Sequence, residues 1–332
     1  MKDGFIKVAA GTPDIKVADC EYNRAEITAL IDKAYAAGVR ILALPELCIT
    51  GYTCQDLFFQ QALLDGALNA LREITEHTAG SDMLISVGCP LRFRGELYNC
   101  AVVLKDGKIL GVVPKKFLPN YNEFYEKRHF TAAPEGQFDI ELFGESVPFG
   151  LGLLFECRTM PELVFAAELC EDLWAAEPPS ISLALSGATI IANLSASNET
   201  IGKDMYRREL VNSQSARLLC GYVYASAGSG ESTQDLVFGG HDIIAENGII
   251  LAESKLYSTG LTVTEIDVQK LASERRRNTS FTGGIRPGMR RIPFDMEVRS
   301  TELTRIVRRT PFVPNTAAET DKRCEDILTM QA

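Results

Sequence analysis

The order of residues in this chain predicts an α/β fold layered around mixed β-sheets. Two observations carry the prediction. Strand-like and helix-like segments alternate through both halves, and each half also contains hairpins. With 332 residues, 46% of them hydrophobic, the chain can bury a core large enough for such layers.

In order, FIKVAAGTPDI (5–15) reads as a first strand and residues Asp19 to Ala37 as an amphipathic helix. Gly38 breaks the helix, and VRILALPEL (39–47) follows as a second strand. Apolar residues recur at helical spacing from Gln55 to His77 (Leu57, Leu63, Leu64, Leu68, Leu71, Ile74), with Gly80 as the stop. MLISVGCPLRF (83–93) is a strand. YNCAVVLKDG and KILGVVPKKFL form a hairpin turned at Asp106-Gly107. Residues 119–135 are aromatic and charged, and read as a loop over a site. The second half repeats the grammar: strands in PFGLGLLF and VFAAELC, a short helix from Ser180 to Ser186, then a strand in ATIIANLSA. A helix from Lys203 to Leu219, a strand in YVYASAGSG and a hairpin turned at Asn247-Gly248 come next. LTVTEID is the last strand, with LASERRR helical after it. The similar order of the halves hints at an internal repeat. Beyond Pro287 the periodicity fades, so residues 1–285 are expected to form one domain and 286–332 an arm or linker, ending in DKRCEDILTMQA as the start of a helix.

Composition narrows the chemistry. Nine cysteines without a CxxC pair, and only three histidines, make a zinc site built from paired ligands improbable. The odd cysteine count fits reduced, mostly buried thiols in a cytoplasmic protein. No apolar run of membrane-spanning length occurs. A net charge of −10 argues against nucleic acid as a partner. An arginine-rich stretch from Arg275 to Arg309 reads as solvated surface or subunit contact, with a phosphate-bearing ligand or an acidic partner domain as the alternative.

Three apolar runs end on reactive side chains: Glu46 in RILALPEL, Lys115 in ILGVVPKKFLP and Cys170 in VFAAELCEDLW. That pattern belongs to buried strands presenting functional groups at their ends. A cysteine nucleophile usually borrows a histidine base. Here His77 ends a helix, His241 lies in a hairpin, and His129 sits beside Lys127 and Arg128. A buried carboxylate can take the thiol proton instead, which suits Glu46. An ammonium can steady the oxyanion, which suits Lys115. Taken singly, each has a plainer reading: Glu46 as a cap or ion-pair partner, Lys115 as a solvated charge, Cys170 as a buried structural thiol.

LALPELCITGY, PKKFLPNYNEFYEKRHF and AAELCEDLW, in that order, resemble the Glu, Lys and Cys motifs of the nitrilase (carbon–nitrogen hydrolase) superfamily. LPNYNEFYE is most similar to one branch, the glutaminase domains of glutamine-dependent NAD⁺ synthetases. The resemblance covers about residues 4–280. It implies a four-layer αββα sandwich of two mixed sheets, with Glu46 as base, Lys115 as oxyanion-side cation and Cys170 as nucleophile. It also implies substrate binding by Tyr121, Glu126, Ser197 and Lys203, Glu126 resembling the superfamily's additional acid. The implied reaction hydrolyses L-glutamine to L-glutamate and ammonia and needs no cofactor. The ammonia would go to a synthetase domain that amidates deamido-NAD⁺ with ATP and Mg²⁺. No Ser-Gly-Gly-x-Asp-Ser type loop for that step occurs here; GSGES at 228–232 has the wrong spacing and context. A homo-oligomer is also implied. Two other readings stay open: a free-standing amidase for another small amide, and an interaction module in which Cys170 is structural.

Overall fold

Side-chain alternation buries both faces of two β-sheets, and that explains the layering. The computed structural model describes residues 3–233, 235–284, 286–307, 313–314 and 316–332. The first half runs β1 (Phe5–Thr12), α1 (Cys20–Ala36), β2 (Ile41–Ala43), α2 (Gln61–His77) and β3 (Leu84–Phe93). The hairpin β4 (Glu96–Lys105)–β5 (Lys108–Pro114), the short helix α3 (Glu126–His129) and the hairpin β6 (Phe138–Leu142)–β7 (Glu145–Phe149) follow. The second half runs β8 (Leu153–Cys157), β9 (Val164–Leu169), α4 (Glu171–Trp174), α5 (Pro179–Leu185), β10 (Ile190–Ser195), α6 (Lys203–Leu218) and β11 (Gly221–Ser226). It closes with the hairpin β12 (Ile243–Glu246)–β13 (Ile249–Glu253), β14 (Gly260–Asp267), α7 (Val268–Arg277), β15 (Arg290–Phe294) and α8 (Ala317–Gln331).

One sheet has the order β14-β1-β2-β3-β4-β5-β7-β6, the other β13-β12-β11-β10-β9-β8-β15. Parallel and antiparallel pairs occur in both, so the sheets are mixed. Even-numbered residues of β1 (Ile6, Val8, Ala10) and odd-numbered residues of β9 (Phe165, Ala167, Leu169) meet in a common core between the sheets. The opposite parity packs on helices. Ala9 and Leu42 join Ile27, Leu30 and Leu71 of α1 and α2. Ala166, Ile191 and Tyr222 join Leu183 and Val211 of α5 and α6. Each fully buried Leu or Ile in these clusters stabilises the fold by about 1.5–3 kcal/mol before entropy is counted. The layers are α/β/β/α, as the resemblance implies. From β1 and again from β9 the chain alternates strands and helices through three strands and then adds an antiparallel neighbour, the second time with two helices, α4 and α5, in the first crossover.

Several elements depart from the sequence reading. VRILALPEL supplies only three strand residues, Ile41–Ala43, and the chain turns at Leu47, whose φ is 51°. PFGLGLLF is not one strand but the end of β7 and the start of β8. The β6–β7 hairpin, turned at Phe143 and Gly144 with φ of 53° and 82°, has no strong turn dipeptide and is not anticipated. The expected arm also begins with structure: β15 pairs in parallel with β8. It can do so because Gly152 has no side chain; a Cβ there would lie 2.4 Å from the Gly288 carbonyl oxygen. Residues beyond β15 tie to both sheets. The Glu297 carbonyl accepts from Arg40 (2.9 Å), Thr301 Oγ1 donates to the Phe5 carbonyl (2.8 Å), and Arg305 pairs with Glu246 (2.9 Å). α8 buries no residue. Arg308, Arg309 and residues 310–312 and 315 of the expected arm lie outside the described residues.

Several arginines of the basic stretch pair within the chain. Arg275 donates to the carbonyls of Ala188 (2.7 Å), Leu218 (2.9 Å) and Leu219 (2.9 Å), where helix α6 ends. Arg290 and Arg291 pair with Asp139 and Glu156. No helix is long and apolar enough to cross a membrane.

Candidate active site

Three strand ends converge. Glu46 follows β2, Lys115 follows β5 and Cys170 follows β9; all three are buried. Glu46 is brought inward by close backbone packing of its turn on β3. A Cβ on Gly88 would lie 2.2 Å from the Leu47 nitrogen and 2.4 Å from the Pro45 carbonyl oxygen, so only glycine fits. Gly88→Ala is therefore expected to cost about 3 kcal/mol and to displace Glu46; denaturant unfolding checks it, and wild-type stability would contradict it.

The Glu46 carboxylate bridges the sheets. Its Oε1 accepts from Lys115 Nζ (2.5 Å) and Asn99 Nδ2 (2.6 Å), while Oε2 accepts from the Ala196 N–H (2.9 Å) just beyond β10. Lys115 Nζ also donates to Glu126 Oε1 (2.6 Å), which accepts from Tyr52 Oη (2.7 Å). A single ammonium thus stands between two buried carboxylates. Burial alone would lower the Lys115 pKa, but Glu126 and Glu46 outweigh it and hold the ammonium well above its ordinary range. Burial pushes Glu126 upward against the pull of Lys115.

Cys170 occupies a sharp turn between β9 and α4, with φ 37° and ψ −99°. A non-glycine residue there is strained by about 1–3 kcal/mol. The turn is pinned by the Cys170 N–H, which donates to the Leu194 carbonyl (3.0 Å) and Asn193 Oδ1 (3.1 Å). Burial and then the Glu46 carboxylate raise the thiol pKa, while Lys115 pulls it down. The balance of these effects favours the neutral thiol.

Cys170 lies on the wall of a cavity of about 360 Å³, together with Tyr121, Glu171, Trp174, Ser197 and Lys203. Its volume suits a small ligand. The Lys203 ammonium sits over the rings of Trp174 (5.2 Å) and Phe124 (5.8 Å) and donates to Asn198 Oδ1. Asn198 Nδ2 in turn donates to Glu123 Oε1, so a cation and an anion flank one amide in the cavity wall. Tyr121 Oη donates to Glu171 Oε1 (2.8 Å).

Tyr121, Ser197 and Lys203, the expected substrate-binding residues, line this cavity together with Cys170. Glu126 does not line this cavity. It is buried on the wall of a separate small pocket with Tyr52 and Phe130, and its Oε1 engages Lys115 and Tyr52 while Oε2 has no hydrogen-bond partner among the described residues. The histidines are engaged elsewhere: His77 with Asp32, His129 with Asp56, His241 with Arg207 and Glu253. Asn99, Tyr52, Glu123, Asn198 and Asp172 were not singled out in the sequence. Only Asp172, two residues after the cysteine, had any positional signal. GSGES also acquires a role. Glu231 is buried and accepts from the Tyr52 N–H (2.7 Å) through Oε2, with no hydrogen-bond partner for Oε1 among the described residues. Burial raises Glu231 from 4.5 to about 8. Between those values the folded chain holds a proton there that the unfolded chain has lost, so this site's contribution to stability falls as pH rises. Glu231→Gln is expected to flatten the decline of Tm from about pH 5 to about pH 8; parallel wild-type and variant curves would refute it.

A buried thiol, carboxylate and ammonium at the strand ends of an αββα sandwich define a thiol-dependent hydrolase of carbon–nitrogen bonds. Residues 7–276 match the carbon-nitrogen hydrolase family, and the chain belongs to that family. It is a hydrolytic enzyme. Among sequence relatives, the glutamine-dependent NAD(+) synthetase of Mycobacterium tuberculosis is 39% identical over 338 residues, covering 99% of this chain and 50% of the relative. The Aquifex aeolicus protein of the same name is 31% identical, over 78% of this chain and 42% of its own length. The chain spans about half the length of the curated relatives it matches most fully. Among solved structures, a glutamine-dependent NAD(+) synthetase from Cytophaga hutchinsonii aligns with a TM-score of 0.70 at 31% identity, over 79% of this chain and 42% of that one. An amidase of the nitrilase superfamily from Nesterenkonia AN1 shares the fold, with a TM-score of 0.62 at 18% identity over 82% of this chain and 96% of its own.

Proposed function

We propose that this chain hydrolyses L-glutamine to L-glutamate and ammonia through a Cys170 thioester. The ammonia then serves the ATP-dependent amidation of deamido-NAD⁺ to NAD⁺ by a synthetase domain. One observation carries the substrate assignment. The cavity that exposes Cys170 also holds the Lys203 ammonium and the Glu123 and Glu171 carboxylates. Opposite charges on one small cavity match the α-carboxylate and α-ammonium of an amino acid, which simple aliphatic amides lack. The names of the relatives, glutamine-dependent NAD(+) synthetases, support the same reading.

In the proposed mechanism, Glu46 accepts the Cys170 proton as Sγ attacks the side-chain amide carbon. Lys115 faces the oxygen that becomes negative. The Glu46 acid then protonates the departing nitrogen, releasing ammonia and leaving the thioester. Water enters, Glu46 takes one of its protons, and hydroxide adds to the thioester carbon. Collapse expels the thiolate, which recovers its proton from Glu46, and glutamate leaves. Each turnover consumes one glutamine and one water.

The test is covalent capture. Diazo-oxo-norleucine, a glutamine-like electrophile, is expected to add one equivalent at Cys170, read by peptide mass, with excess glutamine protecting. Absence of the adduct under native conditions would favour a structural cysteine. Hydrolysis of asparagine, aliphatic amides or N-carbamoyl amino acids in preference to glutamine would favour an amidase of another small amide.

A further inference from the structure

Lys115 and Cys170 leave different strands, β5 and β9, yet the chemistry needs them at a fixed separation. The structure shows what joins their segments. Asp172 is fully buried, and its Oδ1 accepts from the N–H groups of Phe117 (2.8 Å) and Lys116 (3.1 Å). Its Oδ2 accepts from the N–H of Leu169 (3.1 Å). Those donors are the two residues after Lys115 and the one before Cys170. We propose that Asp172 is a positioning residue that clamps the lysine segment to the cysteine turn and so sets the ammonium against the thiol.

The chemistry of the site requires an aspartate. A buried carboxylate is costly to desolvate unless its oxygens are engaged, and here main-chain donors from both segments engage them. Asparagine has one acceptor oxygen, so either orientation of its amide turns an NH₂ toward a main-chain N–H. Glutamate is longer by one methylene and would push the segments apart. The neighbouring residue, Glu171, reaches Tyr121 of the same segment at the cavity mouth, so the base and the rim of the loop are held separately. Because Lys115 electrostatically favours the thiolate, a loosened clamp leaves the thiolate less stabilised.

The inference rests on Cys170 as nucleophile but not on glutamine as substrate, so alkylation rather than turnover tests it. Iodoacetamide modification of Cys170 is followed by peptide mass across a pH series in the wild type, Asp172→Asn, Lys115→Met and the double variant, with Tm measured for each. Asp172→Asn is expected to slow alkylation at neutral pH by roughly tenfold and to move its pH profile upward. In the Lys115→Met background the same change is expected to alter the rate by less than about twofold, because the cation it positions is gone. In glutamine hydrolysis, Asp172→Asn should lower kcat by roughly 10²-fold with KM nearly unchanged. Equal slowing in both backgrounds would reduce Asp172 to a structural residue, and wild-type alkylation in Asp172→Asn would also overturn the proposal. If Asp172→Asn does not fold, Asp172→Glu keeps both acceptor oxygens on a longer side chain and carries the same cycle, with additive effects overturning it.

Discussion

Cys170→Ala is expected to lower glutamine hydrolysis by roughly 10⁴-fold or more while the chain stays folded. The side chain it shortens is small, and the hydrogen bonds that pin the turn come from the main chain: the Cys170 N–H to the Leu194 carbonyl and to Asn193 Oδ1. Loss of the sulfur therefore removes the attacking atom and leaves the scaffold. A companion measurement separates strain from chemistry. At φ 37° and ψ −99° a Cβ is strained, and glycine is not. Cys170→Gly is expected to be more stable than Cys170→Ala by about 1 kcal/mol, with both variants inactive. Retained turnover in Cys170→Ala would end the assignment of the nucleophile. Equal stability of the two variants would show that the turn stores no strain.

Glu46→Gln is expected to stop both halves of the reaction, lowering turnover by roughly 10³-fold or more. Glutamine is nearly isosteric but cannot accept a proton. Its amide also has a single acceptor oxygen, whereas the carboxylate takes Lys115 and Asn99 on one oxygen and the Ala196 N–H on the other. The loss is thus chemical and structural together. Rapid-quench mass spectrometry distinguishes the steps: neither free ammonia nor a glutamyl-Cys170 adduct should accumulate at wild-type rates. An adduct that forms normally and then persists would place Glu46 in thioester hydrolysis only and would leave another group to deprotonate the thiol.

The two outcomes bear on what an acid without a histidine can do. The thiol is held protonated by burial and by Glu46, and Lys115 opposes both. In the proposed mechanism, proton transfer to Glu46 therefore accompanies attack by the sulfur. A charged triad of two carboxylates and one lysine, closed from water, keeps that acceptor fixed: Lys115 donates to both Glu46 and Glu126, and Tyr52 holds Glu126 from the other side.

Much of this was legible in the chain itself. The apolar run of VFAAELC and the helical spacing of Gln55–His77 are local patterns, which one segment carries without its neighbours. Turns at Asp106-Gly107 and Asn247-Gly248 are set by residues that accept positive φ, and both form. Glu46, Lys115 and Cys170 could be nominated because a reactive side chain at the end of an apolar run is conspicuous. Local signals had less to offer elsewhere. β14 joins the first half's sheet and β15 pairs with β8, contacts between segments far apart in sequence that no short window encodes. The true extent of β2 depends on Gly88 of another strand, which lets the Glu46 turn pack directly on it. Glu126 carries the same side chain whether it meets solvent, substrate or Lys115, and only packing around Tyr52 and Phe130 decides. Asp172 became visible as a clamp only when its three N–H donors, from two distant segments, came together. Side-chain chemistry and its period along the chain are local properties. Which groups share a low-dielectric space, and so which proton can move to which acceptor, is set by contacts between segments far apart in sequence.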